Sequence, residues 1–198
     1  EENGVSLDKM EIEHASDVMT MEDHPKSILR EHKDCSMAVA LRLLEEGRGD
    51  AVVSAGSTGA LLMGGTFIVK RIKGVSRPAL APVMPSDGDP FMLIDCGANA
   101  DCRPEMLVQF ARMGSIYMSH MYPREGGPRV GLLNVGTEDT KGGELQLATF
   151  PLLKESELNF IGNVEARDVP AGVADVVVAD GFSGNVLLKT LEGTVDML

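Results

Sequence analysis

Short apolar runs rich in valine, isoleucine and leucine alternate along this chain with longer stretches in which apolar residues recur at helical spacing. Strands buried on both faces appear as continuous apolar runs, whereas helices that cover a sheet carry apolar residues every three or four positions. The alternation is typical of a mostly parallel sheet covered by helices, because a parallel crossover needs an intervening helix. The sequence therefore predicts an α/β fold, organised as one domain over residues 1–198.

The apolar runs place the strands of this sheet. Residues 78–85 and 91–94 flank a Ser-Asp-Gly-Asp-Pro turn and are predicted to form a hairpin, which would make the sheet mixed. Further strands are predicted at 51–54, 130–135, 160–161 and 175–178.

Helices are predicted between these strands. The first is capped by Asp34 or Ser36 and stops at Gly47, and the second runs through Leu61 and Ile68. Pro104 suits the first position of the third helix, with Asp101 or Cys102 as its cap. The fourth starts near Glu144 and is expected to kink or end at Pro151. The last begins near Gly184 and reaches Leu198 without a stop signal, which suggests that the natural protein continues.

The charge balance excludes one class of partner. With 30 acidic and 18 basic residues, the net charge is −12. A nucleic-acid groove needs a basic face that displaces counterions, so nucleic acid is not the expected partner. No apolar run approaches the length of a membrane span, and the acidic start Glu1 to Met10 does not resemble a signal peptide. Three cysteines without a disulfide or zinc spacing favour a reducing cytoplasm.

One basic cluster stands out on this acidic chain. It comprises Lys70, Arg71, Lys73 and Arg77. An acidic partner could dock there, although such residues also commonly end a helix and offset its C-terminal partial charge.

Two strand-to-helix turns repeat one pattern. Residues 52–62 (VVSAGSTGALL) align without gaps on residues 177–187 (VVADGFSGNVL), so that both glycines coincide. We call residues 54–59 the first glycine turn and residues 179–184 the second. Glycine and a hydroxyl at a helix start can cradle an anion, although each turn alone could equally be a tight connection without a ligand. The pair favours anion binding, by Ser54, Gly56, Ser57, Thr58, Gly59, Gly181, Ser183 and Gly184.

Polar side chains follow other predicted strands. Asp95 and Asn99 follow 91–94, Asn134 lies at the end of 130–135, and Lys141 lies in the glycine-bounded loop beyond it. In open parallel sheets the ligand binds beyond the carboxyl ends of the strands, so we expect these residues to line the binding site.

Several catalytic signatures are absent from the sequence. It contains neither a Gly-x-Gly-x-x-Gly nor a Walker motif, and neither glycine turn is a nucleophile elbow. The four histidines lie outside the strand-end loops, and Cys96 and Cys102 are interpreted as small buried thiols. The remaining amides, hydroxyls, backbone donors and lysine suit electrostatic catalysis on an anionic reactant, without a covalent protein intermediate.

A series of short blocks extends from residue 12 to the end of the chain. The blocks are IEHA (12–15), KDCS (33–36), SAGSTGA (54–60), DCGAN (95–99), VGLLN (130–134), KG (141–142), FIGNVE (160–165) and DGFSGNV (180–186). Together they resemble the phosphate acyltransferases of bacterial phospholipid synthesis, the PlsX family.

The resemblance implies a homodimer with a three-layer α/β/α fold like that of the isocitrate and isopropylmalate dehydrogenases. It implies transfer of a long-chain fatty acyl group from acyl carrier protein to inorganic phosphate, which gives acyl phosphate without a metal or an organic cofactor. The family's opening strand and its last third lie outside this chain. That last third includes a helical tip implicated in membrane association, which implies peripheral contact with the inner face of the membrane.

Two residues are predicted, from their positions in the sequence, to carry out the chemical step of such a reaction. Lys141 is predicted to hold phosphate and to meet the developing thiolate. Asn185 opens the helix after the second glycine turn and is predicted to donate to the oxyanion. Two alternatives stay open: a nicotinamide-dependent hydroxy-acid dehydrogenase on the same fold, and a non-enzymatic regulator that binds acyl carrier protein or a phosphorylated ligand.

Overall fold

The computed structural model describes residues 8–197, so residues 1–7 at the acidic start and Leu198 at the end lie outside the described residues. The chain forms two compact units; the first ends at Lys73 and the second begins at Gly74. The prediction of one domain over 1–198 stays a prediction.

The first unit is built from short helices. Helix α1 spans Ser36–Glu45 and helix α2 spans Thr58–Gly64, with a 3₁₀ turn at Pro25–Leu29 and a π-helical turn at Gly65–Val69. Its core contains Ile28, Cys35, Ala38, Leu41 and Ala60. A side chain at Gly64 would collide with Leu41, so the missing Cβ lets α2 approach α1 closely.

The strand predicted at 51–54 is wrong. These residues have no regular secondary structure, and Val53 is 98% exposed. No described residue of the first unit pairs with this segment in a ladder. A valine run becomes a strand only where a neighbouring strand takes up its backbone hydrogen bonds, and that neighbour is not present in the first unit as described.

The second unit contains a five-stranded sheet. The strands are β1 (Val83–Met84), β2 (Phe91–Ile94), β3 (Val130–Asn134), β4 (Phe160–Glu165) and β5 (Val176–Val178), in the order β1-β2-β5-β3-β4. Strand β1 runs antiparallel to β2, and the other pairs are parallel. The predicted hairpin and the mixed, mostly parallel sheet are confirmed.

Side-chain alternation along the strands divides the core into two layers. Met92 and Ile94 pack with Phe110 on one face of the sheet, and Phe91 and Leu93 pack on the other. Helices α3 (Pro104–Met121) and α4 (Glu144–Lys154) cover the first face. Helix α5 (Gly181–Asp196) covers the second face. These layers give the second unit an α/β/α arrangement, as predicted.

The central strand is anchored at its amino end by an ion pair. Asp175, directly before β5, accepts hydrogen bonds from the backbone and the guanidinium of Arg129, with Nη2–Oδ1 at 2.8 Å. Burial favours the neutral acid, but the hydrogen bonds from Arg129 outweigh it and hold the pKa of Asp175 below its usual value. The pair ties the start of β5 to the start of β3.

Two details of the helices differ from the predictions. The residues that cap α1 and α3 are Cys35 and Arg103, not the predicted polar neighbours. Pro151 neither kinks nor ends α4, which continues to Lys154. Two features hold the last turn: Leu153 is fully buried, and the Glu155 N–H donates to the Pro151 carbonyl at 3.0 Å. Among residues 8–197, no helix has the length and apolar character of a membrane span.

Candidate functional site

The carboxyl ends of β2, β5, β3 and β4 lie along one edge of the sheet in the second unit. The loops that follow them begin at Asp95, Ala179, Val135 and Ala166. Because β5 lies between β2 and β3, the second glycine turn lies at the centre of this edge. Parallel sheets bind ligands at this edge, so the candidate site is built from these loops.

Asp95 organises the loop after β2. Its carboxylate is fully buried and accepts hydrogen bonds from the backbone N–H groups of Leu80, Ala98 and Asn99 at 2.7–3.1 Å. The Asn99 amide donates to the same carboxylate and to the Pro78 carbonyl. These contacts use the acceptors of Asp95 inside the protein. Its predicted contact with substrate stays a prediction.

The second glycine turn is filled by a carboxylate of its own chain. Asp180 caps α5: its Oδ1 accepts from the N–H groups of Phe182 and Ser183, and its Oδ2 accepts from the Ser183 hydroxyl. The Gly181 N–H donates to Asn99, and the Gly184 N–H donates to the Asp180 carbonyl. The first four amides of the helix are therefore paired internally, and anion binding by this turn stays a prediction.

Both glycines of the second turn allow close packing against the loop after β2. A Cβ at Gly181 would lie 2.6 Å from the Asn99 carbonyl oxygen, and one at Gly184 would collide with the Asp95 carbonyl oxygen. Only glycine fits at such a distance, because a side chain would displace backbone atoms. The glycine pattern therefore serves the contact between two strand-end loops.

The first glycine turn, in the first unit, is capped differently. The Ser57 hydroxyl accepts from the Ala60 N–H at a long 3.4 Å, and the Ser54 hydroxyl accepts from the Gly56 N–H at 3.1 Å. The N–H groups of Ser57, Thr58 and Gly59 have no partner among residues 8–197. A cavity of about 320 Å³ adjoins this turn, lined in part by Ser54, Gly56 and Ser57.

Side-chain amides hold the loop that carries Lys141. Asn134, at the end of β3, donates to the Lys141 carbonyl at 3.0 Å, and Asn163 on β4 donates to the Glu138 carbonyl at 2.7 Å. The Lys141 N–H donates to the Glu138 carbonyl as well. The Lys141 ammonium is exposed and forms no ion pair with any residue of 8–197. The loop is thus fixed while its cation stays available.

Asn163 is a site residue that the sequence analysis did not single out. It is nearly buried, and its Oδ1 has no hydrogen-bond partner among the described residues. Asn163 lies inside β4, whereas the loop that it holds follows β3. A residue inside one strand carries no sequence signal that it binds a loop after another strand.

A cavity of about 400 Å³ lies beside the Lys141 loop and α5. It is lined by Leu133, Asn134, Val135, Gly142, Gly143, Gln146, Ala166, Phe182, Ser183, Val186, Leu187 and Thr190. It brings together two predicted site residues, Asn134 and Ser183, and its rim includes Gly142, next in sequence to Lys141.

Asn185 faces the loop after β2. Its Oδ1 would lie 3.8 Å from a Cβ placed at Gly97, and its side chain makes no hydrogen bond with residues 8–197. The amide is exposed and so is free to donate.

The thiols at this edge are poor nucleophiles. Burial, reinforced by the charge of Asp95, raises the pKa of Cys96 to about 11, and burial likewise raises the pKa of Cys102 to about 11. Both thiols stay protonated near neutral pH, and their S–H groups donate to backbone carbonyls. Within residues 8–197, no cluster of three or more acidic, histidine or cysteine side chains could hold a metal ion.

Comparison with known families identifies the chain. The model of the family described as "Fatty acid synthesis protein" matches residues 2–198. The chain belongs to this fatty acid synthesis protein family.

Curated relatives are 50–56% identical to the chain over the aligned residues. The phosphate acyltransferase of Bacillus pumilus is 56% identical over 188 residues, which cover 94% of this chain and 56% of the relative. Those of Clostridium novyi and Neisseria meningitidis are each 50% identical and cover 96% and 98% of this chain. The chain spans 56–57% of the length of these three family members.

Solved structures support the fold. A phosphotransacetylase from Streptococcus pyogenes superposes with a TM-score of 0.64 at 17% identity and covers 83% of this chain and 56% of its own. The EutD phosphotransacetylase from Staphylococcus aureus gives 0.60 at 21% identity, with 83% and 58% covered. At this identity the likeness shows the α/β fold alone. The likeness to isopropylmalate dehydrogenases stays an expectation.

Proposed function

We propose that the full-length protein transfers a long-chain fatty acyl group from acyl carrier protein to inorganic phosphate, forming acyl phosphate for phospholipid synthesis. Relatives named phosphate acyltransferase, 50–56% identical over nearly the whole chain, support this activity. The observation that carries the proposal is the exposed Lys141 ammonium on a loop held by two amides beside a cavity. Electrostatic catalysis on an anionic reactant needs a cation held close to it.

The reaction joins two anionic reactants. A phosphate oxygen attacks the thioester carbonyl carbon, whose oxygen becomes an oxyanion in a tetrahedral intermediate. Collapse re-forms the carbonyl and expels the phosphopantetheine thiolate, which then takes up a proton. In this proposal Lys141 holds phosphate and meets the developing thiolate, while Asn185 donates to the oxyanion. Both side chains are exposed, and neither forms an ion pair or a side-chain hydrogen bond with residues 8–197, which supports these roles. No metal or organic cofactor takes part.

The proposed binding set has two kinds of member. Asp95, Asn99 and Asn134 act mainly by holding loops, as their hydrogen bonds indicate. Direct contact with phosphate or substrate is assigned to the two glycine turns, through Ser54, Gly56, Ser57, Thr58, Gly59, Gly181, Ser183 and Gly184. Support for anion binding is stronger at the first turn, where three N–H groups have no partner among residues 8–197. At the second turn the N–H groups already donate to protein acceptors.

Acyl carrier protein, an acidic partner, is proposed to dock on the basic cluster Lys70, Arg71, Lys73 and Arg77. The first three residues belong to the first unit, where Lys70 pairs with Glu45 at 3.3 Å, and Arg77 belongs to the second. Charge reversal of the cluster should raise KM for the carrier and flatten its dependence on salt, because steering by exposed charges is screened. An unchanged KM in the reversed protein assigns the cluster to a helix end instead.

The protein is further proposed to act as a homodimer in the cytoplasm, with peripheral contact to the inner face of the membrane. Family resemblance is the support for these three statements. Light scattering measures the dimer, and flotation with anionic vesicles measures the membrane contact.

One assay separates the proposal from its alternatives. The full-length protein is incubated with acyl carrier protein thioester and phosphate, and acyl phosphate is trapped with hydroxylamine. Thioester consumption should require phosphate. Turnover without phosphate, or a nicotinamide absorbance change with a hydroxy acid, would contradict the proposal, and binding without turnover would indicate a regulator.

Substitution at the two proposed catalytic residues tests their roles. Lys141→Ala and Asn185→Ala should each keep the melting temperature yet lower kcat by about a hundred- to a thousandfold, the typical effect of losing one oxyanion donor. Lys154→Ala on α4 and Lys189→Ala on α5 serve as exposed controls and should change kcat by less than about twofold. If a variant folds normally and its kcat stays within about threefold of the parent value, the substituted residue is not catalytic.

A further inference from the structure

The 400 Å³ cavity of the second unit is lined in part by large apolar side chains that are exposed instead of packed in the core. Phe182 is 68% exposed and Val186 is 53% exposed, although both are large apolar side chains. They lie one turn apart on α5, and Thr190 continues the same stripe. Leu133, Val135, Ala166 and Leu187 line the rest of the apolar surface. An apolar cavity with a few polar groups at its edge is the usual form of a small-molecule site.

The cavity adjoins the proposed chemistry. Gly142 lies on its rim and is covalently linked to Lys141, and Asn134, which holds the Lys141 carbonyl, lines it as well. A ligand in the cavity therefore contacts the loop that carries the proposed phosphate-binding cation.

We infer that this cavity holds the acyl chain of the thioester substrate, with Phe182, Val186 and Thr190 as one wall. The inference rests on the proposed function. Phosphate and an acidic carrier protein are charged, so the acyl chain is the reactant whose transfer out of water such walls favour. Each buried methylene contributes about a fourfold gain in binding, which makes the cavity a determinant of chain length.

A second cavity in the same unit provides a matched control. It has a volume of about 540 Å³ and is lined by Met84, Phe91, Leu191 and Val195 among others. Phe91 begins β2, so this cavity lies by the amino end of that strand, away from the loops that carry Lys141 and Asn134. Helix α5 thus supplies a valine to each cavity, Val186 to the first and Val195 to the second.

The test compares Val186→Trp with Val195→Trp in the full-length protein. The ratio of kcat/KM for 16-carbon over 8-carbon acyl carrier thioester should fall at least tenfold in Val186→Trp and stay within twofold of the parent in Val195→Trp. Binding of a fluorescent long-chain fatty acid, measured without phosphate, should weaken at least fivefold in Val186→Trp alone. Val186→Thr, which keeps the volume and adds a hydroxyl on an exposed face, should weaken the same binding about threefold even if the tryptophan variant does not fold.

The outcomes separate this inference from the proposed function. A parent that turns over no thioester, combined with weakened fatty-acid binding in the Val186 variants, rejects the proposed function and keeps the apolar site. Unchanged chain-length ratio and unchanged fatty-acid binding in both Val186 variants overturn the inference. If Val195→Trp lowers the chain-length ratio and the fatty-acid binding as much as Val186→Trp, the acyl chain binds in the other cavity, and the inference is overturned as well.

Discussion

Two stretches of this chain share one sequence pattern and fold differently. In residues 177–187, valines belong to a central strand, Val178 is fully buried, and the helix that follows spans 16 residues. In residues 52–62, Val53 is 98% exposed, no strand forms, and the helix spans 7 residues. A helix starts within the glycine pattern in both places: Gly56 precedes α2 and Gly59 lies in it, whereas Gly181 and Gly184 both lie in the first turn of α5. Whether the valines become a strand depends on neighbours that the pattern does not encode.

The caps of the two turns differ as well. Asp180 aligns with Ala55, so the first turn lacks the carboxylate that fills the second, and its cap shifts by two residues to Ser57. An ionised cap competes with an external anion for the same N–H groups, whereas a neutral hydroxyl with one long bond leaves them open. Similar glycine spacing therefore does not imply similar ligand binding.

The largest difference is expected at the last glycine of each turn. Gly184→Ala should destabilise the protein by about 4 kcal/mol or more, because the new Cβ would collide with the Asp95 backbone carbonyl. Gly59→Ala should cost less, about 1–2 kcal/mol, because its Cβ would lie 2.8 Å from a ring carbon of Pro25 that must shift, while alanine itself favours a helix. Urea unfolding followed by circular dichroism measures both. Equal effects would show that the two turns are packed alike.

The anchor of β5 should give the next largest effect. Asp175→Asn should cost about 3 kcal/mol, because it leaves the Arg129 guanidinium without its carboxylate. The folded pKa of Asp175 lies below its unfolded value, so the carboxylate stabilises the protein above about pH 4, and this contribution is lost as the pH falls further. Unfolding free energies of parent and variant should therefore converge below pH 4. A constant difference down to pH 2 would contradict this account.

The caps should differ by a smaller amount. Asp180→Ala should cost about 2 kcal/mol, because two backbone amides and the Ser183 hydroxyl lose their acceptor. Ser57→Ala should cost about 0.5 kcal/mol, as its single bond is 3.4 Å long. Thermal unfolding with matched buffers measures both, and a larger loss at Ser57 would reverse the comparison.

The smallest effect concerns local exchange without a change in stability. Amide hydrogens of Phe182 and Ser183 should exchange at least about tenfold more slowly than those of Thr58 and Gly59, because among residues 8–197 only the former donate to an acceptor. Nuclear magnetic resonance resolves these amides individually. Equal exchange in the two turns would mean that the first turn has an acceptor of its own.

Much of the second unit follows from its sequence. The runs at 91–94, 130–132 and 176–178 are buried on both faces of the sheet, so their apolar character is direct evidence of strands. Pro104 also begins its helix as predicted. In the first unit the same reasoning fails at Val53, because burial there depends on a pairing that a local pattern cannot specify.

The site was less predictable than the fold. The sequence placed polar residues at strand ends but could not tell those that hold the loop from those left free. Asp95 and Lys141 both follow strands, yet one is fully buried with its oxygens occupied and the other is exposed. Asn163 escaped notice because its partner Glu138 is 25 residues away in the chain. Such pairings arise only when neighbouring strands are brought together.

The insertion of β5 between β2 and β3 has a consequence for biosynthesis. During translation β2 and β3 leave the ribosome long before residues 176–178, which must later bridge them. Until then each of the two earlier strands presents an unpaired backbone edge, and open edges of this kind promote aggregation. A nascent chain arrested before residue 176 is therefore expected to aggregate more readily than one that has already released β5.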